Sequence, residues 1–245
     1  MVKVKSLEKD NKIFKYLIEN TDHVTLNTIR RTLSYYLPIY AIDEIDFYEN
    51  SSVVFDEMLS NRIALSPIKT PLLNTGKKVT FNLEVNGPKT VYTSDFISND
   101  SDIKMVYDTI PLTKLNEEEN IKLLAYAVLG KGKDHVKHIP AIVSYAQLYE
   151  LETSRSCEEC KKVFEKASKT AIKSESNKNI VINPDNYDFC VSQVESCDKK
   201  CLKINPTNNY ILSVELIGQI NSKDLFKLSD RYLKENIGIL KKKLK

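Results

Sequence analysis

The chain has 245 residues, 42% of them hydrophobic and 28% charged, with 36 basic against 33 acidic side chains for a net charge of +3. This composition excludes a disordered chain, and it lacks the concentrated basic character of a nucleic-acid-binding domain. The length suits one large domain or two to three small ones and buries a core without disulfide staples.

No run approaches the ~18 apolar residues a bilayer crossing needs. The opening MVKVKSLEKDNK has no apolar secretory segment. We therefore expect a cytosolic protein with no membrane contact, in which the five cysteines form no disulfide framework.

In chain order, residues 11–19 (NKIFKYLIE) read as a strand. Asp22 is placed to cap a helix, in which Leu26, Ile29, Leu33 and Tyr36 or Leu37 recur at helical spacing until Pro38 ends the run. This helix carries Asn27-Thr28-Ile29-Arg30-Arg31-Thr32-Leu33. The two arginines sit roughly 100° apart around the axis. At most one lies squarely opposite the apolar stripe, and the other sits near its edge, where a guanidinium fork pairs well with a partner's carboxylate. A simply solvated face is the competing reading.

IYAIDEIDFYE alternates and reads as a strand, and from about residue 47 to 152 the pattern stays β-rich. In VTFNLEV, Val79, Phe81, Leu83 and Val85 share one face, as a half-buried strand requires. LLAYAVLG and AIVSYAQLYEL are further strands, separated by GKGKDHVKHIPA. In that loop Gly130 and Gly132 allow close backbone approach, and Lys131 and Lys133 suit an anion. The G-x-x-x-x-G-K-[ST] spacing of a P-loop is absent, and a plain exposed turn is the alternative. His135 and His138 have no cysteine or carboxylate cluster beside them to complete a metal site.

Residues 153–204 hold all the cysteines: Cys157, Cys160, Cys190, Cys197 and Cys201. The pair Cys157-Glu-Glu-Cys160 has the spacing of zinc sites, iron–sulfur motifs and redox disulfides. A redox pair wants a helix N-terminus after a buried strand, whereas LYELETSRSCEEC supplies a polar lead-in.

In NYILSVELIG, Tyr210, Leu212, Val214 and Leu216 share one side of a strand, Gly218 breaks it, and Asn221 or Ser222 caps the following helix. Leu225, Leu228, Tyr232, Leu233, Ile237, Leu240 and Leu244 form its apolar stripe. About 22 residues make a rod of roughly 33 Å. Each of these side chains is worth about 1.5–3 kcal/mol when buried. Packing on the protein's own core is the ordinary explanation. The stripe, however, persists to Lys241-Lys242-Lys243, which suits the negative end of the helix dipole, and a helix this long calls for a partner surface.

Three of these stretches resemble one family. NTIRRTLSYYLPIYAIDEIDFYENSS is similar to the first signature of the α-like subunits of multisubunit RNA polymerases, specifically the archaeal D-subunit family. DEMLSNRIALSP resembles the stretch that follows in that family, and GKGKDHVKHIP its second signature. The resemblance implies an α+β fold in which residues 1–46 and 205–245 form a discontinuous dimerisation domain. An inserted β-rich domain spans 47–152, and a degenerate ferredoxin-like insertion spans 153–204. It implies a heterodimer with a small subunit L, further contacts with small subunits N and P and the large B subunit, and DNA contact only through the assembled complex. No residue is then catalytic. Asn27, Arg30, Arg31, Leu33, Leu225, Leu228, Tyr232, Leu233, Ile237 and Leu240 bind the partner, and Lys131, Lys133, His135 and Lys137 form a subunit-contact loop.

Members of this family often carry one or two C-x-x-C-x-x-C-x-x-x-C runs in that insertion. Continued from Cys157 and Cys160, the spacing reaches Val163 and Ala167. The second run starts at Cys190, but the next place is Gln193, and Cys197 and Cys201 come one residue late. A three-iron cluster, a zinc site built from Cys157, Cys160, Cys197 and Cys201, and a relic fold without metal all stay open. An iron–sulfur or zinc protein acting in electron transfer or metal sensing is the competing function.

Overall fold

The structure is a computed structural model that describes residues 2–9, 12–72, 76–154, 158–169, 171–174, 179–196 and 201–244. In chain order the strands are β1 (Lys3–Lys9), β2 (Ile13–Glu19), β3 (Pro38–Asn50), β4 (Val79–Asn86), β5 (Lys89–Tyr92) and β6 (Ile97–Ser98). They continue as β7 (Pro111–Leu115), β8 (Asn120–Lys131), β9 (Ala141–Thr153), β10 (Lys173–Ser174), β11 (Asn179–Val181) and β12 (Leu202–Leu216). The α-helices among the described residues are α1 (His23–Arg31), α2 (Asp56–Ala64), α3 (Glu158–Ser168), α4 (Tyr187–Glu195) and α5 (Ser222–Lys243). The mixture is α+β, and none of these helices is long and apolar enough to cross a membrane.

The chain divides into two compact units, one of Met1–Asn27 with Ser144–Ser213 and one of Thr28–Val143 with Val214–Lys245. The first is built on a sheet of order β1-β2-β12-β9-β11-β10. Phe14, Leu17 and Ile18 of β2 are buried, as the apolar run in that strand requires. At the other side β11 pairs antiparallel with β9, Ile180 opposite Leu151. Residues 153–204 include α3 and α4, which pack against each other. Asp22 caps α1 as its position predicts. Its carboxylate accepts from the Thr25 amide at 2.8 Å and the Thr25 hydroxyl at 2.9 Å, and these bonds hold its pKa below the ordinary value.

The second unit has a sheet of order β3-β8-β4-β6 and a two-stranded ribbon, β5-β7. The alternation predicted for VTFNLEV is borne out, with Val79, Phe81, Leu83 and Val85 of β4 buried. They pack with Leu59 and Ile63 of α2 in the unit's main core. The Arg62 guanidinium, on the same helix, donates to the Leu112 carbonyl at 2.7 Å. β3 and β8 run antiparallel, with Ile39 opposite Gly130, and register shifts after Ile42 and Phe47 add the local twist a bulge produces. Asn221 is the cap of α5, accepting from the Asp224 amide at 2.9 Å.

Candidate functional site

The site is built where the end of the first helix, the glycine–lysine loop and α5 meet within the second unit. After α1 the chain widens into a π turn at Thr32–Tyr36, where Thr32, Leu33 and Ser34 are buried. Leu37 then turns extended (φ −78°, ψ 138°), as a residue before proline must. The carbonyls at a helix end need donors from elsewhere, and the loop supplies one: the Lys133 amide donates to the Tyr35 carbonyl at 2.9 Å. Glycine is required for this approach, because a Cβ at Gly132 would stand 2.6 Å from the Ser34 carbonyl oxygen.

The same loop is anchored beneath by His138. Its Nδ1–H donates to the Ile39 carbonyl at 2.7 Å, and a Cβ at Gly130 would stand 2.3 Å from its Nε2. Burial pushes the His138 pKa down, against the raising effect of the Ile39 bond. Beside it the Lys137 ammonium pairs with the Asp43 carboxylate, which holds the Asp43 pKa below its ordinary value.

Aromatic rings join the loop to the two helices. Tyr36 and Tyr232 stack with centroids 5.8 Å apart. Arg31 lies 5.8 Å over Tyr36, while its guanidinium donates to the Tyr36 hydroxyl at 2.9 Å. Lys131 lies 5.6 Å over Tyr232, and Arg30 lies 5.9 Å over Tyr35. The result is a cation–aromatic ladder, Arg31–Tyr36–Tyr232–Lys131, with both ends charged.

Along α5 the apolar stripe changes environment. Leu225 and Leu228 are buried, Tyr232 and Leu233 are half-buried, and Ile237, Leu240 and Leu244 are 53%, 57% and 78% exposed. The last three fall at offsets of three and four residues, so they share one face.

A family model described as "RNA polymerase Rpb3/RpoA insert domain" matches residues 49–144. The DNA-directed RNA polymerase subunit Rpo3 of Pyrococcus horikoshii is 32% identical over 95% of this chain and 94% of its own length. The Rpo3 of Thermococcus kodakarensis is 33% identical over 96% and 98%, and that of Archaeoglobus fulgidus 31% identical over 90% and 89%. The chain belongs to the archaeal Rpo3 family, the D-subunit family of the sequence reading.

The residues expected at the partner surface differ in exposure. Leu33, Leu225 and Leu228 are buried in the chain's own core, where the packing energy of a fully apolar side chain is greatest. Lys137 has only 10% of its side chain exposed, because Asp43 holds it. Arg31, Lys131, Lys133 and His135 remain exposed, and Asn27 and Arg30 are half-exposed. The sequence reading missed Tyr35, Asp43 and the anchoring role of His138. Asp43 and Lys137 are separated by 94 positions, and no local periodicity signals such a pair. It also missed an exposed apolar group at the start of the matched domain: Tyr48, Val53, Phe55 and Met58.

Of the five cysteines in the ferredoxin-like insertion that the resemblance implies, the structure describes Cys160, Cys190 and Cys201. Cys160, Cys190 and Cys201 are buried in an apolar cluster with Leu151, Phe164 and Ile180. Among the described residues, no three His, Cys, Asp or Glu side chains assemble into a metal site. Cys157 and Cys197 lie outside the described residues. Burial pushes the Cys190 thiol pKa up.

Proposed function

We propose that this chain is a non-catalytic assembly subunit of an archaeal DNA-directed RNA polymerase, pairing with a small L-type subunit and supporting the large catalytic subunits. The carrying observation is the distal half of α5. Its apolar face continues from a buried start to exposed Ile237, Leu240 and Leu244, and such a face stays in water only at a cost. A helix of matching pattern on the partner supplies the missing side. Arg31 and Lys131, the charged ends of the ladder built on the Tyr36–Tyr232 stack, suit acidic side chains on the partner.

In functional terms residues 1–46 and 205–245 act as the dimerisation region, 47–152 as the inserted β-rich domain and 153–204 as the ferredoxin-like insertion. The exposed Tyr48, Val53, Phe55 and Met58 group supports a second contact, with the large B subunit or the small subunits N and P. DNA is met only in the assembled polymerase, in the cytoplasm. The names of the relatives, each a DNA-directed RNA polymerase subunit, support this reading.

Co-expression with an L-type subunit tests it. A 1:1 complex by size exclusion with light scattering is expected. A monodisperse monomer in the partner's presence overturns the proposal.

A further inference from the structure

Between β12 and α5 the chain runs through residues 217–221, which have no regular structure of their own. Gly218 takes φ +116° there, a conformation open to glycine. A Cβ at this position would stand 2.8 Å from Val106 and 2.9 Å from the Tyr107 hydroxyl. Gln219 and Ile220 are buried, and buried irregular backbone must find its hydrogen-bond partners elsewhere in the chain. Three distant stretches supply them. The Tyr107 hydroxyl donates to the Ile217 carbonyl at 2.7 Å, and the Ile217 amide donates to the Pro140 carbonyl at 3.0 Å. The Thr70 amide donates to the Gln219 carbonyl at 2.7 Å, and the Gln219 side-chain amide donates to the Ile139 carbonyl at 3.1 Å. Thr70 is itself fixed to β3, since its hydroxyl accepts from the Tyr40 amide at 3.0 Å.

This segment is the root of a lever. Leu240 lies about 27 Å along the axis from Ser222, so a tilt of about 10° at the root moves it by roughly 5 Å. A face that packs ridges into grooves does not absorb such a displacement. Two points fix the axis: the bonds at 217–219 and, further along, the stack of Tyr232 on Tyr36. Gln219 is 2% exposed, and its Oε1 accepts no hydrogen bond among the described residues. Burying an unpaired acceptor opposes stability, so the favourable polar contribution of this side chain is the directed bond from its Nε2.

We propose that Tyr107 and Gln219 are positioning residues: with Thr70 they clamp the root of α5 to the β-rich part of its own unit. The exposed face at Ile237, Leu240 and Leu244 is thereby presented at one fixed angle. The purpose of the clamp rests on α5 as the proposed pairing surface; its control of the angle does not.

The test is made first on the full chain without a partner. Spin labels are attached through a ketone-bearing amino acid, which spares the native thiols, at exposed Asn82 on β4 and exposed Glu235 on α5. Pulsed electron–electron double resonance reads the distance between them, and the parent is expected to give one narrow distribution. Tyr107→Phe keeps the ring and removes the hydroxyl donor. It is expected to shift or broaden the distribution by roughly 3 Å, the displacement of Glu235 for a tilt of about 10°. Gln219→Leu is expected to do the same with an unfolding midpoint no lower than the parent's, because it removes the orphaned acceptor along with the bond. Leu59→Ala opens a cavity in the unit's main core with the clamp intact. It is expected to lower the midpoint and keep the parent's distribution. A parent-like distribution in either clamp variant overturns the proposal for that residue, and the same broadening in Leu59→Ala overturns it for both. Affinity for the L-type subunit is then expected to fall about tenfold in the clamp variants, through lost preorganisation. Equal affinity of parent and variants overturns the clamp's role in pairing. A parent that does not bind at all overturns the pairing reading alone, since the distances are measured without the partner.

Discussion

The amide of Lys133 donates to the carbonyl of Tyr35 across 2.9 Å, so a loop from the middle of the chain completes the end of its first helix. Two stretches far apart in sequence, each read separately as a family signature, are one structural feature. Gly132 is the residue that allows it, and Gly132→Ala places a Cβ 2.6 Å from the Ser34 carbonyl oxygen and 2.8 Å from Ile139. We expect the variant to lose about 1–3 kcal/mol, the usual cost of forcing extra volume into a packed site. Urea unfolding of the full chain measures this. Lys133→Ala is the control, since it keeps the backbone donor and should unfold within about 0.5 kcal/mol of the parent.

His138 gives the fold a pH dependence of its own. Its folded-state pKa lies below the ordinary 6.5, so below that value the unfolded chain binds a proton the folded chain resists. Stability is therefore fully present above pH ~6.5 and falls as pH drops towards the folded pKa. The carboxyls of Asp22 and Asp43 are held below 3.8, so their losses begin only in more acidic solution. A urea midpoint that declines between pH 7.5 and 5.5, and a flatter decline in His138→Gln, are the expected results. Equal slopes for the two proteins would count against the assignment.

The two halves of the α5 stripe should respond oppositely to substitution. Leu225 is fully buried, and Leu225→Ala is expected to cost about 2–5 kcal/mol of chain stability. Ile237 and Leu240 are more than half exposed. The double variant Ile237→Asp/Leu240→Asp should leave the isolated chain within about 0.5–1 kcal/mol of the parent yet abolish the proposed heterodimer. Thermal unfolding and co-purification with the L-type subunit read the two effects separately.

Tyr232 is the shared ring of the cation–aromatic ladder, stacked on Tyr36 and faced by Lys131. Tyr232→Phe keeps the ring and is expected to be nearly neutral. Tyr232→Ala removes the stack and one cation contact together, at roughly 1–2 kcal/mol. Chemical denaturation of both variants checks the order; equal losses would mean that the hydroxyl, not the ring face, carries the contact.

Much of the secondary structure was legible because it rests on local periodicity. The alternation of Val79, Phe81, Leu83 and Val85 became β4, with those four side chains buried. The cap at Asp22, the break at Gly218 and the cap at Asn221 follow from residue types whose backbone or side-chain chemistry acts within three positions. The continuation of α1 as a π turn was not legible, because its last carbonyls depend on a donor from Lys133.

The candidate site was legible only in part, and for the same reason. The stripe on α5 could be seen as apolar, but not that Leu225 and Leu228 lie inside while Ile237, Leu240 and Leu244 face solvent. Lys137, expected in the subunit-contact loop, is paired with Asp43. Sequence alone determined which faces are apolar, where helices begin and to which family the motifs point, since these depend on near neighbours along the chain. Tertiary structure alone decided which apolar residues are already covered and which charges are already paired. Burial and pairing join residues that are distant in sequence, and no local pattern encodes their distance in space.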